Sequence, residues 1–221
     1  SPPSWMRMSS GTQDVADLDD PAYWARSMQY VEKVVERYAG AQALHSWILW
    51  NEPSRVIQPD KADRADFAAF LRHKYRNVIR SLNRSYYCQY QTFEELSAGQ
   101  QQAAEALVFS GYAERVDWQQ YCVHNLNQKL CMLAEKVRSL DGLHPVHVNP
   151  HNIGAPNYFQ GQAIFQEAET VDFLGCSAHP SWHSTRFPTD RIHQSVAYFA
   201  DLMKSASKSE RFWVSELQGG T

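Results

Sequence analysis

The sequence contains no run of about 18 apolar residues, so it offers no candidate membrane-spanning helix and no membrane partner is expected. Its opening Ser1-Pro2-Pro3-Ser4-Trp5 has neither the charged start nor the apolar stretch of a secretory leader, and the compartment stays open. Cysteine is scarce: Cys88, Cys122, Cys131 and Cys176 form no CxxC pair and no closely spaced framework, which points to buried free thiols. Charge of one sign is also lacking. A formal net charge of -3 and a pI near 6.3 leave no basic stripe for a phosphate backbone, which argues against nucleic acid as a partner. No low-complexity linker divides the 221 residues, so a single domain is expected, with residues 81–112 as an elaborated, weakly periodic connection. What the chain has in quantity is aromatic: seven Trp, eleven Tyr and ten Phe serve a core, and their flat faces also suit sugar-binding clefts.

Asp20-Pro21 reads as an N-cap followed by proline at the first helical position. Trp24, Met28, Val31, Val34, Val35 and Tyr38 then recur at helical spacing until Gly40. The short apolar run Ser46–Trp50 follows, of the kind buried on both faces of a parallel sheet, and it stops abruptly at Asn51-Glu52-Pro53. The unit repeats. Helical periodicity at Phe67, Phe70, Leu71, Tyr75 and Val78, and again at Trp118, Tyr121, Leu130, Leu133 and Val137, precedes a strand at Val146–Asn149. A third strand is expected over Val171–Ser177, and a helix carrying Ile192, Val196, Phe199 and Leu202 leads to a fourth, Phe212–Ser215. Alternating strands and helices predict an α/β fold with a parallel sheet. A closed (β/α)8 TIM barrel needs eight strands and about 250 residues, so four strands mean either an open doubly wound sheet or the central part of a barrel.

Two glutamates stand immediately after two of these strands, Glu52 after the first and Glu216 after the fourth. One such residue alone is a loop salt bridge or a cap. Two of them, three βα units apart, fit the requirement of glycoside hydrolysis with retention, which needs two carboxyls about 5 to 5.5 Å apart, one protonated and one ionised. Strand C-termini share one face of a parallel barrel, and that is where such a pair can meet.

With Trp50-Asn51-Glu52-Pro53 and Trp213-Val214-Ser215-Glu216-Leu217-Gln218-Gly219-Gly220 in place, the chain resembles the glycoside hydrolases of clan A, most closely the family 42 β-galactosidase type. The likeness extends to Ser1–Met6, similar to the loop after strand three, to Phe67–Asn83, similar to the helix after strand four, and to Asp117-Trp118 and His144–Asn149. The resemblance implies a TIM barrel of which residues 1–221 cover strands four to seven, as the central portion of one catalytic domain. It implies Glu52 as general acid/base, Glu216 as nucleophile and Asn51 as a partner of the sugar's 2-hydroxyl. It also places His179 after strand six, where barrels of the clan often have a residue bonded to the nucleophile, commonly a tyrosine, for which His179 would be the substitute. The chain departs from the family after Glu52, where Pro53-Ser54-Arg55 replaces an aromatic, and it has no zinc-binding cysteine cluster. No metal or organic cofactor is therefore expected.

Other polar residues fall at the same strand ends. Asn149 and His151 follow the second strand, and His179, Trp182 and His183 the third. Asn149 and His179 are candidate sugar-binding residues, with unremarkable loop positions as the alternative, while Trp182 either stacks on a sugar ring or packs over the barrel mouth. The pairs His147/His151 and His179/His183 have metal-ligand spacing for a helix, but Pro150 and Pro180 interrupt them. The expected function is a retaining β-glycoside hydrolase of β-galactosidase type acting on an oligosaccharide or β-glycoside. The alternatives are another clan A enzyme (glucosidase, mannanase or transglycosylase) and a carbohydrate-binding protein without the reaction; a homo-oligomer is compatible with either.

Overall fold

The computed structural model describes residues 6–8, 14–16, 18–55, 61–96, 111–150, 161–179, 188–207 and 209–217. Two short strands, β1 (Met6–Met8) and β2 (Asp14–Ala16), pair antiparallel, while all but the last residue of the expected loop at Ser1–Met6 lies outside the described residues. Helix α1 (Pro21–Tyr38) starts where the sequence puts it: Asp20 Oδ1 accepts from the backbone N–H of Ala22 at 2.6 Å and of Tyr23 at 3.3 Å.

The parallel sheet is built from β3 (Trp47–Asn51), β4 (Val146–Asn149), β5 (Phe173–Leu174), β6 (Ser177–Ala178) and β7 (Glu216–Leu217). β3 pairs with β4, β4 with β5 and β6 with β7. Gly175 N–H donates to Val148 O at 2.7 Å and Cys176 N–H to Trp213 O at 2.8 Å, so β5 and β6 form one interrupted strand between β4 and β7. The expected third strand thus starts two residues later, at Phe173. The fourth has its regular pairing at Glu216–Leu217 rather than Phe212–Ser215, although Phe212 already bridges Leu174 and Ser215 N–H donates to Cys176 O at 2.8 Å.

One face of the sheet is covered by α1, α4 (Tyr112–Leu140), α5 (Ile164–Thr170) and α6 (Ile192–Ala206). Val146, Val148, Leu174 and Cys176 pack there against Val35, Leu130, Ala134, Ala168 and Met203. Alternation along the strand turns His147 and Asn149 to the other face. On that face the His147 ring stacks on Phe173, with centroids 4.7 Å apart and planes 15° apart, and Trp213 lies 5.4 Å from His147.

His147 is 1% exposed, and burial pushes its imidazole down from the ordinary 6.5 to about 4. The unfolded chain therefore takes up a proton that the folded one refuses. The stabilisation is fully present above about pH 6.5 and is lost as the pH falls toward 4, by up to about 3 kcal/mol. In His147→Phe, thermal unfolding followed at pH 7 and pH 5 is expected to show a smaller difference in Tm than in the unsubstituted protein. An equal difference in the two proteins would contradict the assignment.

A second apolar cluster lies beyond the sheet. α4 has 29 residues and is about 43 Å long. Its C-terminal half supplies Leu130, Ala134 and Val137 to the first core, whereas its N-terminal half packs Trp118, Tyr121 and Cys122 against Phe67, Leu71, Leu82 and Tyr86. These come from α2 (Lys61–Lys74) and α3 (Ile79–Tyr86). The periodicity from Phe67 to Val78 reads as one helix, but Arg76 and Asn77 are left-handed, with φ of 52° and 59°, and Val78 is the N-cap of α3. That turn lets the Tyr75 and Tyr86 hydroxyls both donate to Asp117, at 2.8 and 3.0 Å, with Lys74 Nζ at 2.5 Å from the same carboxylate. All four cysteines are free thiols, and no helix among the described residues is long and apolar enough to cross a membrane.

Candidate active site

Parallel strands end on one edge of the sheet, and the residues at these ends converge. Glu52 directly follows β3 with φ of 48°, a left-handed conformation that costs a residue with a side chain about 1 to 2 kcal/mol. Its backbone N–H donates to Asn149 Oδ1 at 3.2 Å, from the end of β4. Asn149 is fully buried, and its Nδ2 reaches Asn51 Oδ1 at 2.9 Å, Ser177 Oγ at 3.0 Å and Glu216 Oε1 at 3.1 Å. Each of the parallel strands thus has a group on one amide.

His179 follows β6 and stands between the glutamates: its Nε2 is 3.5 Å from Glu52 Oε1 and 3.6 Å from Glu216 Oε2. One oxygen of each carboxylate and one ring nitrogen all lie within 4.8 Å of one another. The side chains are 23% (Glu52), 40% (Glu216) and 16% (His179) exposed, open to a ligand on one side and held by the sheet on the other.

The close packing below them depends on Gly175. A side chain there would run into Ser215 Oγ and stand 3.1 Å from Val148 O and 3.4 Å from Asn149 Cβ. The segment after Glu52 is fixed as well, since the Arg55 guanidinium pairs with Asp19, whose carboxylate also lies 3.2 Å from Lys129 Nζ.

Five of the residues singled out from sequence are therefore brought together: Asn51, Glu52, Asn149, His179 and Glu216. Trp182, His151 and His183 lie outside the described residues. His147 sits in the aromatic layer instead of with the other histidine of the site. The one group among the described residues able to ligate a cation with three side chains is Glu52, His179 and Glu216 itself, not a pair with the four-residue spacing. Sequence reasoning missed Ser177, a small polar residue inside an apolar strand, whose alternation with Cys176 and Ala178 was the available signal.

The sequence profile of glycoside hydrolase family 42, described as beta-galactosidase, matches residues 5–221. The chain belongs to this family. β-Galactosidase Pbg of Clostridium perfringens is 24% identical over 188 residues, 83% of this chain and 26% of that protein. The crystal structure of the β-galactosidase of the psychrophilic Marinomonas ef1 superposes with a TM-score of 0.70 at 17% identity, over 88% of this chain and 31% of that one. Gan42B, a family 42 β-galactosidase of G. stearothermophilus, gives 0.72 at 19% identity, over 85% of this chain and 28% of that one. The four parallel strands and their helices match the barrel domains of family 42, and the chain spans under a third of the length of these relatives.

Proposed function

We propose that the protein is a retaining β-galactoside hydrolase in which Glu216 is the nucleophile and Glu52 the general acid/base. The observation that carries the reading is the convergence of these two glutamates, from the outer strands of the parallel sheet, with one oxygen of each within 4.8 Å of the other, in a member of a β-galactosidase family. A retaining pair stands about 5 to 5.5 Å apart, whereas an inverting pair leaves room for a water at about 6.5 to 9.5 Å.

The chemistry follows from the roles. A Glu216 carboxylate oxygen attacks the anomeric carbon while the Glu52 O–H protonates the glycosidic oxygen, so the C–O bond breaks and a glycosyl ester forms. Glu52, now a carboxylate, takes a proton from water as that water attacks the same carbon. Glu216 leaves as the carboxylate, and the anomer is retained. His179, within reach of both oxygens, orients the nucleophile and the acid against each other. Asn51 is exposed at the end of β3 with its Oδ1 held by Asn149, which leaves its NH2 to meet the 2-hydroxyl of the sugar.

The four strands are the fourth to seventh of an eight-stranded barrel in this reading. Support comes from their order in the chain, from the helices that cover one face of the sheet, and from the exposed apolar side chains Ile48 and Leu217 at the outer strands. The test is a panel of aryl β-glycosides with the whole protein, following the first-formed anomer by NMR. Turnover of the β-galactoside with β-galactose appearing first is expected. Preference for a glucoside or mannoside would assign another activity of the clan, α-galactose appearing first would refute the retaining mechanism, and binding without turnover would make the protein a carbohydrate-binding one.

A further inference from the structure

Asn149 has a geometry that suits neither a sugar ligand nor a passive core residue. Its side chain has no exposed surface, so a substrate in the cleft cannot reach it past the groups it already holds. The oxygen end accepts the Glu52 N–H at 3.2 Å, and the nitrogen end donates to Glu216 Oε1 at 3.1 Å. One rigid, planar amide therefore links the two glutamates across the sheet. Glu52 in particular has a left-handed backbone, which persists only where its surroundings hold it.

The nitrogen end carries two protons, yet three acceptors surround it: Glu216 Oε1, Asn51 Oδ1 at 2.9 Å and Ser177 Oγ at 3.0 Å. An N–H shared in this way goes to the most negative acceptor. A carboxylate attracts it more strongly than an ester oxygen does.

We propose that Asn149 is the positioning residue of this site: it fixes the separation of Glu52 and Glu216 by holding the Glu52 backbone N–H with one end of its amide and Glu216 Oε1 with the other. The proposal rests on the functional reading above. As Glu216 becomes a glycosyl ester and loses its charge, the shared N–H turns toward Asn51 or Ser177, so the hold on Glu216 is firmest before nucleophilic attack and after release.

The test uses Asn149→Asp, which keeps the shape but replaces the donor with negative charge, and Asn149→Ser, which shortens the side chain and adds no charge. In the whole protein, Asn149→Asp is expected to lower kcat about 100-fold with KM changed by less than about threefold. Asn149→Ser is expected to lower kcat by a smaller factor with KM again nearly unchanged, and it carries the comparison if Asn149→Asp does not fold. A raised KM with unchanged kcat would overturn the proposal and make Asn149 a binding residue. A crystal structure of Asn149→Ser judges the geometry without any assay: displaced Glu52 and Glu216 carboxylates support the proposal, and unmoved ones overturn it. If the unsubstituted protein hydrolyses no galactoside, the functional reading fails while the crystal structure still decides the part played by Asn149.

Discussion

Glu216→Ala is expected to lose β-galactoside hydrolysis by at least about 10⁴-fold in kcat, equivalent to more than about 5 kcal/mol of transition-state stabilisation. The variant lacks the atom that forms the covalent intermediate, and water in the vacated space is a far weaker nucleophile. Azide is small enough to enter that space. It would attack the anomeric carbon from the side Glu216 occupied, while Glu52 still protonates the departing oxygen, so the product is a glycosyl azide of inverted configuration. Activity recovered in this way identifies the missing group as the nucleophile, because a lost structural contact would not respond to azide with a change of stereochemistry. Rates near those of the unsubstituted protein without azide would contradict the role.

Glu52→Ala tests the other half of the pair, and its expected effect depends on the substrate. A natural galactoside leaves as an alkoxide unless it is protonated, so loss of the acid is expected to cost about 10²- to 10⁴-fold. An aryl galactoside with a strongly acidic phenol needs no such help and should form the intermediate at nearly the normal rate. Its hydrolysis then stalls, because no base activates water. Azide needs no base, so it should release the sugar as an azide of retained configuration. Equal losses on natural and activated substrates would show that Glu52 does something other than proton transfer.

Both glutamates were legible in the sequence because of how parallel strands are built. Ile48-Leu49-Trp50 and Phe212-Trp213-Val214 are apolar runs that stop at a carboxylate, and an abrupt change of polarity at a strand end has few structural explanations. The helix at Pro21 was equally plain, since Asp20 and Pro21 supply a capping oxygen and a preset φ. The break between α2 and α3 was not, because Arg76 and Asn77 carry the left-handed turn without a glycine to mark it. α5 was also missed. Seven residues make about two turns, too few for a period to emerge, and Glu167 within it is fully buried where its type suggests solvent.

The site itself was only half visible. Its residues could be named one at a time, but the sequence could not say that Asn149 would be buried with its amide spanning the strands, or that His179 would stand between the carboxylates. Those facts depend on register. Asn149 lies opposite Asn51 through an irregularity in the pairing of β3 with β4, and Ser177 lies opposite Glu216 in the pairing of β6 with β7. A shift of one residue in either pairing would turn these side chains to the other face of the sheet.

The central claim is that Glu216 becomes covalently bonded to the sugar, and trapping that intermediate tests it most directly. A 2-deoxy-2-fluoro-β-galactoside with a good leaving group forms the glycosyl ester faster than water clears it, because the fluorine disfavours the positively charged transition states of both steps while the leaving group speeds only the first. Mass spectrometry of the intact protein should show the addition of one fluorosugar, and peptide sequencing should place it on Glu216. An adduct on any other residue, or turnover of ordinary galactosides with no adduct formed, would contradict the account.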